Sequence, residues 1–492
     1  MSVYSVKRGH IMLLVQNGFN CEYEMNVFMR LFFNTSDDVY IYTNVSYEND
    51  IADAYCEIIY NNNTYFGEFK LNRKKTGIEK KDNRICSVSC TRAFINAASK
   101  IYSINLPWGA MCGVRPAKTV TSLVDEGMSY EEAAEFIKLL YGVEDNKCEL
   151  ACKVAKNEEI ILQSIKENSV SIYIGIPFCP SRCLYCSFVS TDIGTSGKYM
   201  DDYLKYLLKE IELTADIVKD TGKIIENIYI GGGTPTTLNE NQLEILLKKI
   251  NSSFDMSNIN EFTLEAGRPD TITREKLVIA KENGVGRISI NPQTTNNKTL
   301  AKIGRRHCVR EFFDSFNIAR EVGFDVINTD LIAGLPDEKF EDFKKSIDDL
   351  VAISPENITV HSMCIKRAAA LRHKIEELTE ADEMNKMLSY AQKTLEENGY
   401  TPYYMYRQKN ISGNLENVGY AKSGAFSFYN VNIMEEAQTI IALGGGGTTK
   451  IVKKDGIERI FNYKDPVEYI RNFDEIIKRK EDTRKFLKGG DI

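Results

Sequence analysis

Between about residues 171 and 400, short apolar runs alternate with longer segments whose apolar residues recur every three or four positions. The short runs predict strands at 172–176, 227–230, 260–265, 286–290, 326–332 and 357–361. The intervening segments predict helices, among them DDYLKYLLKEIELTADIVKD (201–220) and TREKLVIAKENG, which starts at Thr273. Repeated strand–helix units demand parallel strands joined by helical crossovers, because a tight turn cannot return the chain in a parallel sense. Six such units make an open, partial (β/α)6 barrel. In that architecture functional side chains sit at the C-terminal ends of the strands.

The remainder of the chain reads differently. Residues 1–110 carry strand-like runs (HIMLLVQN, DVYIYTNV, AYCEIIY, NNNTYFGEFK) and a helix over roughly 90–102, with Ala93, Phe94, Ala97 and Ile101 on one face. The NNN tripeptide predicts a hairpin turn. This is an N-terminal α+β domain. Residues 111–168 form a helical linker region, preceded by the only tryptophan, Trp108. Ser129 and Glu132 predict a capping box for a helix reaching about residue 141, and a second helix spans about 147–167. The barrel occupies 169–400 and closes with a helix near 376–398, and 401–492 form a C-terminal α+β extension. Tyr403, Tyr404, Tyr406, Phe426, Phe428 and Tyr429 make that extension aromatic, which suits a core or the wall of a flat ligand.

Composition narrows the class. A chain of 492 residues with 43% hydrophobic and 27% charged residues suits a globular protein of two or three domains. The formal net charge of −7 supplies no bulk attraction to nucleic acid or to an anionic membrane. No run of 18 apolar residues is present and MSVYSVKRGH lacks a secretory apolar region, so the expectation is a cytoplasmic protein without stable membrane insertion. Its 12 cysteines are then expected to be reduced. Cys148 and Cys152 stand four apart on a predicted helix and would need further ligands to hold a second metal centre.

The candidate chemistry follows the first barrel strand. In IYIGIPFCPSRCLYCSFV (172–189), Cys179, Cys183 and Cys186 are spaced C-x3-C-x2-C. Three thiolates on one loop can hold three corners of an iron–sulfur cube and leave the fourth iron without a protein ligand. The alternatives are three buried cysteines at a strand end, or a zinc site, which would require a fourth ligand that is not nearby. The second strand ends in GGGTPTTL (231–238), where glycines allow close backbone approach. The third ends at Glu265, the fourth leads to Asn291 and Gln293, IGRRH (303–307) follows, and the fifth carries Asp330. Polar residues thus recur at one predicted strand end after another.

The cysteine loop resembles that of the radical S-adenosylmethionine (SAM) superfamily. Together with GGGTPT, Glu265 and Pro269, IGRRH and DLIAGLP, it is similar to the anaerobic coproporphyrinogen III oxidase family. The N-terminal domain, GVRPAK, ITVHSMCIKRAA and YYMYRQKNISGNLENVGYA resemble the HemZ-type branch of that family. The resemblance implies a [4Fe-4S] cluster on Cys179, Cys183 and Cys186, with SAM on its open iron. It implies SAM contacts from Tyr173, Tyr185, Gly231, Gly232, Gly233, Thr234, Glu265, Gln293, Arg305 and Asp330, and closure by IALGGGGTTK (441–450) over the ligand. The implied substrate is coproporphyrinogen III, two of whose propionates are oxidatively decarboxylated to vinyl groups, giving protoporphyrinogen IX. Arg306, Lys366, Arg367 and Arg407 are the candidate propionate partners, and a flavodoxin or ferredoxin is the implied electron donor. Phe188 stands where the best-known members carry a further cysteine, a departure shared with haem chaperones on the same scaffold. A haem-binding chaperone and a radical-SAM haem methyltransferase are therefore the alternative readings.

Overall fold

The structure is a computed structural model that describes residues 2–7, 10–34, 36–113, 115–186, 190–364, 380–408, 414–453 and 456–489. It divides into two compact units. One holds Met1–Lys153 with a short stretch that includes Arg407 and Leu415, and the other holds most of the remaining chain.

The first unit is built on a five-stranded sheet in chain order: β1 (Ser2–Lys7), β2 (His10–Asn17), β3 (Val39–Glu48), β4 (Ile51–Tyr60) and β5 (Asn63–Asn72). Only β2 and β3 run parallel, and the helix Glu22–Phe32, which the periodicity did not predict, crosses between them. Along β3 buried and exposed side chains alternate, so one face of the sheet packs on helices and the other meets water. The helix Glu79–Ala98 covers the packed face through Cys90, Ala93, Phe94 and Ala97. It starts some ten residues before the predicted boundary because its polar first turns carry no apolar period to read. The expected hairpin is present: Asn61 and Asn62 both take positive φ (51° and 61°), as a two-residue primed turn requires. The Ser129–Glu132 capping box forms as expected, opening the helix Tyr130–Tyr141.

The second unit contains one 11-stranded sheet. All six predicted barrel strands are present: β6 (Ser169–Ile176), β9 (Ile224–Gly232), β10 (Glu261–Glu265), β11 (Arg287–Ser289), β12 (Val326–Ala333) and β13 (Asn357–Ser362), with the two-residue pair β7 (Phe178–Cys179) and β8 (Thr191–Asp192) forming a sheet of its own. The six lie side by side in parallel, in chain order. The C-terminal region adds β14 (Thr401–Arg407) and β15 (Glu416–Ala421) at one end. At the other it adds β16 (Thr439–Gly444), β17 (Thr448–Lys453) and β18 (Gly456–Phe461). The sheet therefore has two edges and does not close. A seventh parallel strand exists beyond the expected six, since β16 pairs in parallel with β6. IALGGGGTTK, read as a ligand-covering stretch, supplies this strand and the turn into β17.

Every position of β6 except Tyr173, and all of β11, is buried, as expected where both faces of a parallel sheet are covered. The faces nevertheless differ. Ile172, Ile174, Ile228, Ile230, Leu264, Ile288, Ile327 and Leu331 project from one, beneath the crossover helices. The register places polar residues on the other: Ser171 beside Asn227, Tyr173 beside Tyr229, Glu265 beside Ser289, Ser289 beside Asn328, and Asp330 beside Thr359.

The end of β16 is fixed by buried Glu210. Its carboxylate accepts from Gly444 N (2.8 Å), Asn462 Nδ2 (2.9 Å) and Tyr469 Oη (2.6 Å) and pairs with Lys480 Nζ at 3.1 Å. Tyr203 donates to Gly175 O and accepts from Gly445 N, joining β16 to the strand that leads to the cysteines. Lys480→Met leaves Glu210 buried without its countercharge and is expected to cost about 3 kcal/mol. Adding Glu210→Gln should recover part of that loss. Urea denaturation of both variants checks this, and an unchanged midpoint in Lys480→Met would contradict it.

Candidate functional site

The cysteine loop begins where Pro177 ends β6 and is tied down from three sides. Cys179 lies in β7, and Cys183 and Cys186 share a turn closed by Cys186 N to Cys183 O at 3.1 Å. Leu184 N donates to Ile303 O (3.0 Å) and Ser181 Oγ to Gly304 O (3.1 Å), fastening the loop to the IGRRH segment. From the third side comes Arg268, just beyond β10. Its guanidinium donates to Ser181 O (3.3 Å), Ser181 Oγ (3.1 Å) and Cys183 Sγ (3.4 Å).

The GGGTPT turn lies directly against this loop. Gly233 N donates to Ile176 O (2.8 Å), Thr234 N to Phe178 O (2.7 Å), and Thr234 Oγ1 lies 3.5 Å from Cys179 Sγ. A Cβ on Gly233 would fall 2.5 Å from Phe178 O, and Gly232 holds φ at +113°. These two glycines are thus already required by the contact of one protein backbone with another. Gly231 differs, because a Cβ there would lie 2.7 Å from Glu265 Oε2 and displace that carboxylate.

Glu265 and Asp330 are two acidic groups with opposite fates. Burial, and then the negative charge of Asp330, push the Glu265 carboxyl up to about 8, against the opposing pull of Gly232 N–H and Arg305. Burial also pushes Asp330 up, but His361, Asn328 and Thr359 together overcome it and hold Asp330 below the usual carboxylate range. Asn328 Nδ2 donates to Asp330 Oδ1 at 2.8 Å, His361 Nε2 stands 3.7 Å from Oδ2, and His361 Nδ1 lies 3.2 Å from Tyr406 Oη. The two carboxyl groups are therefore pushed apart, one towards its neutral and one towards its ionised form, an arrangement typical of sites that separate acid and base roles.

The other expected SAM contacts are found close by. Arg305 is buried and donates to Gly267 O (2.9 Å) and Tyr185 Oη (3.1 Å), while its Nε–H is buried without an acceptor. Gln293 adopts a left-handed φ of +69° and pins two strand ends together through Gln293 N to Asp330 O and Ile332 N to Gln293 O. Backbone strain of this kind concentrates at functional sites. Tyr173 stacks with Tyr229 and Tyr429, and the Tyr229–Tyr429 ring centroids lie 4.6 Å apart.

One expectation is corrected. Arg407 does not serve as an available propionate ligand. Its guanidinium is buried, donates to Met111 O (2.7 Å) and Asn414 O (2.8 Å), and lies over the buried Trp108 ring. Arg306 is exposed beside buried Arg305. Lys366, Arg367 and Phe188 lie outside the described residues. The aromatic stretch divides: Tyr403 stacks on Phe426 within an apolar cluster, whereas Tyr429 joins the tyrosine stack and Tyr406 reaches His361. Sequence reasoning did not single out Arg268, His361 or Tyr229. The two-residue spacing of Tyr229 from Gly231 was a readable signal, whereas nothing local indicates which loop Arg268 reaches.

The radical SAM superfamily profile matches residues 173–350. An oxygen-independent coproporphyrinogen-III oxidase-like protein, HemZ, of Bacillus subtilis is 37% identical over 83% of this chain and 85% of its own. The chain belongs to the HemZ-type branch of the radical SAM superfamily. The heme chaperone HemW of the same bacterium is 40% identical, but over only 40% of this chain and 51% of its own. The structure described as coproporphyrinogen III oxidase (HemN) from Escherichia coli shares the fold, with a TM-score of 0.52 and 22% identity over 65% of this chain and 72% of that one.

A radical SAM protein uses a [4Fe-4S] cluster and SAM, and the residues present fit both. Three thiols on one short, three-way-anchored loop form a donor set that suits such a cluster. Among the described residues no three cysteine, histidine or acidic side chains are already drawn together as a ligand set. For SAM, the orphaned Arg305 Nε–H provides a buried donor in need of a partner.

The raised Glu265 carboxyl makes a stability prediction. Between its ordinary value of 4.5 and about 8, the folded protein holds a proton that the unfolded chain has released. Its contribution is therefore complete below the lower value and is lost as pH rises through the upper one. Urea midpoints at about pH 5 and about pH 9 should fall more steeply in the wild type than in Glu265→Gln. Equal slopes would show that Glu265 titrates normally.

Proposed function

We propose that the protein catalyses the oxygen-independent oxidative decarboxylation of coproporphyrinogen III to protoporphyrinogen IX. The observation that carries this reading is the likeness to the HemZ relative, which spans 83% of the chain and is not limited to the cysteine-loop region. Cys179, Cys183 and Cys186 would hold the cluster. The SAM-binding set would be Tyr173, Tyr185, Gly231, Gly232, Gly233, Thr234, Glu265, Gln293, Arg305 and Asp330. Bound there, the cluster and SAM supply the one-electron chemistry that removes a hydrogen atom from an unactivated carbon.

The chain's own residues position and insulate that chemistry. Glu265, pushed towards its neutral form in the free protein, becomes an anionic acceptor when a cation approaches and releases its proton. Asp330, held ionised by His361 and its polar neighbours, stays an acceptor throughout. The tyrosine stack of Tyr173, Tyr229 and Tyr429 walls one side against water. Arg306, with Lys366 and Arg367, would meet the propionates through charge-assisted hydrogen bonds. A flavodoxin or ferredoxin would donate electrons in a reducing compartment such as the cytoplasm.

A second reading, a haem-binding chaperone on the same scaffold, draws support from the HemW relative. Anaerobic incubation with reductant, SAM and coproporphyrinogen III separates the two. Protoporphyrinogen IX is the expected product, and stable retention of added haem without decarboxylation would favour the chaperone. Reconstituted wild-type protein should hold about four irons per chain, and alanine at Cys179, Cys183 and Cys186 together should remove them. Full iron loading in that triple variant would refute the cluster assignment.

Glu265→Gln and Asp330→Asn should each weaken SAM binding about tenfold or more, since each loses a charged hydrogen-bond acceptor. Calorimetric titration with SAM would read the loss, and unchanged affinity in both variants would move the SAM site elsewhere.

A further inference from the structure

We propose that Arg268 is a positioning residue for the iron–sulfur centre, which sets its reduction potential through an N–H···S hydrogen bond to Cys183. This rests on the reading that Cys179, Cys183 and Cys186 hold the cluster.

Arg268 is 4% exposed, unusual for a guanidinium, and every nitrogen of that group has an acceptor. Nε and Nη2 donate to the two carboxylate oxygens of Asp270, each at 3.0 Å, in the bidentate geometry that fixes the plane of the group. With its plane fixed, Nη1 points at Cys183 Sγ (3.4 Å) and Ser181 O (3.3 Å), and Nη2 also reaches Ser181 Oγ (3.1 Å). A residue needed only to fill space would not require this complete donor set.

The clamp is anchored in turn to the glycine turn on the neighbouring strand. Arg268 O accepts from Thr271 Oγ1 at 2.8 Å, and Thr271 Oγ1 lies 2.6 Å from Thr236 Oγ1. Buried Lys276 donates to Thr236 O (2.8 Å) and Thr271 O (3.1 Å). One polar network thus fixes the cysteine loop, the loop after β10 and the GGGTPT turn relative to each other.

The chemical consequence concerns electron affinity. Hydrogen bonds to cluster sulfurs are among the factors that set an iron–sulfur potential. A cationic donor favours the reduced, more negative state. Arg268 would therefore raise the potential and make the centre easier to reduce, in addition to ordering the loop.

Arg268→Gln and Arg268→Lys, reconstituted anaerobically as full-length protein, test this by iron content and redox titration. Arg268→Gln is expected to hold about four irons but to show a tenfold lower ratio of reduced to oxidised cluster at a fixed potential, which is about 59 mV for one electron. Arg268→Lys keeps the charge, loses the planar fork and should shift in the same direction by less. A purely structural arginine would lower the melting temperature and leave the potential alone, so a wild-type potential in fully loaded Arg268→Gln overturns the proposal. Should Arg268→Gln fail to take up iron, Arg268→Lys decides by the same criterion. Full iron in the triple cysteine variant would instead show that the cluster reading itself is wrong, and this proposal would fall with it.

Discussion

A parallel sheet covered on both faces normally carries apolar residues on both, because a buried polar group without a partner costs free energy. Here one face carries polar residues from Ser171 to His361, and part of the unit's architecture pairs them. Towards the N-terminal ends of the strands part of the pairing is internal. Gln438 donates to Ser169 and Glu226, while its carbonyl oxygen lies within reach of Ser171, Asn227 and Asn432. Arg287 donates to Ala425 O, and Glu261 accepts from Thr263 and Ser427. Towards the C-terminal ends Arg305 keeps an orphaned donor and Glu265 is driven towards its neutral form. Buried polar atoms without a partner occur at the N-terminal ends as well, among them Asn227 Oδ1, Glu261 Oε2, Arg287 Nη2 and both amide atoms of Asn357.

The C-terminal extension belongs to the same sheet and packs on this polar face. Gln438 precedes β16, Asn432 and Tyr429 lie on the preceding helix Phe428–Glu435, and Tyr406 and Tyr404 lie on β14. Each inserts a polar or aromatic group towards the inward face of the six-stranded core. Glu210, buried with Lys480, holds the β16 turn beside the strand that leads to the cysteines. The core strands and the extension thus form one hydrogen-bonded sheet.

Some features were legible because the chain states them locally. The six parallel strands follow from apolar runs separated by helical periods, and the three cysteines from their spacing. The capping box of Ser129 and Glu132 and the turn at Asn61–Asn62 are chemical requirements of four residues or fewer. Polar residues at successive strand ends were predicted to gather because parallel strands all present their C-terminal ends on one side. Gln293, Asp330 and Glu265 do gather.

What the sequence could not contain is the pairing of residues far apart in the chain. Arg407 looks like a free cation in YMYRQKN, yet Met111, some 300 residues earlier, consumes its donors. The glycines of GGGTPT suggest a ligand, yet Phe178 and Ile176 already require two of them. Arg268 is one more arginine until the fold brings it to Cys183, and His361 one more strand residue until β12 sets Asp330 beside it. The sequence by itself determined the six strand–helix units of the core and their order, because these depend on local propensity and spacing. The tertiary structure alone decided the partner of each charge, and hence which carboxyl group is pushed towards its neutral form, because electrostatic energies depend on distances that only the folded chain defines.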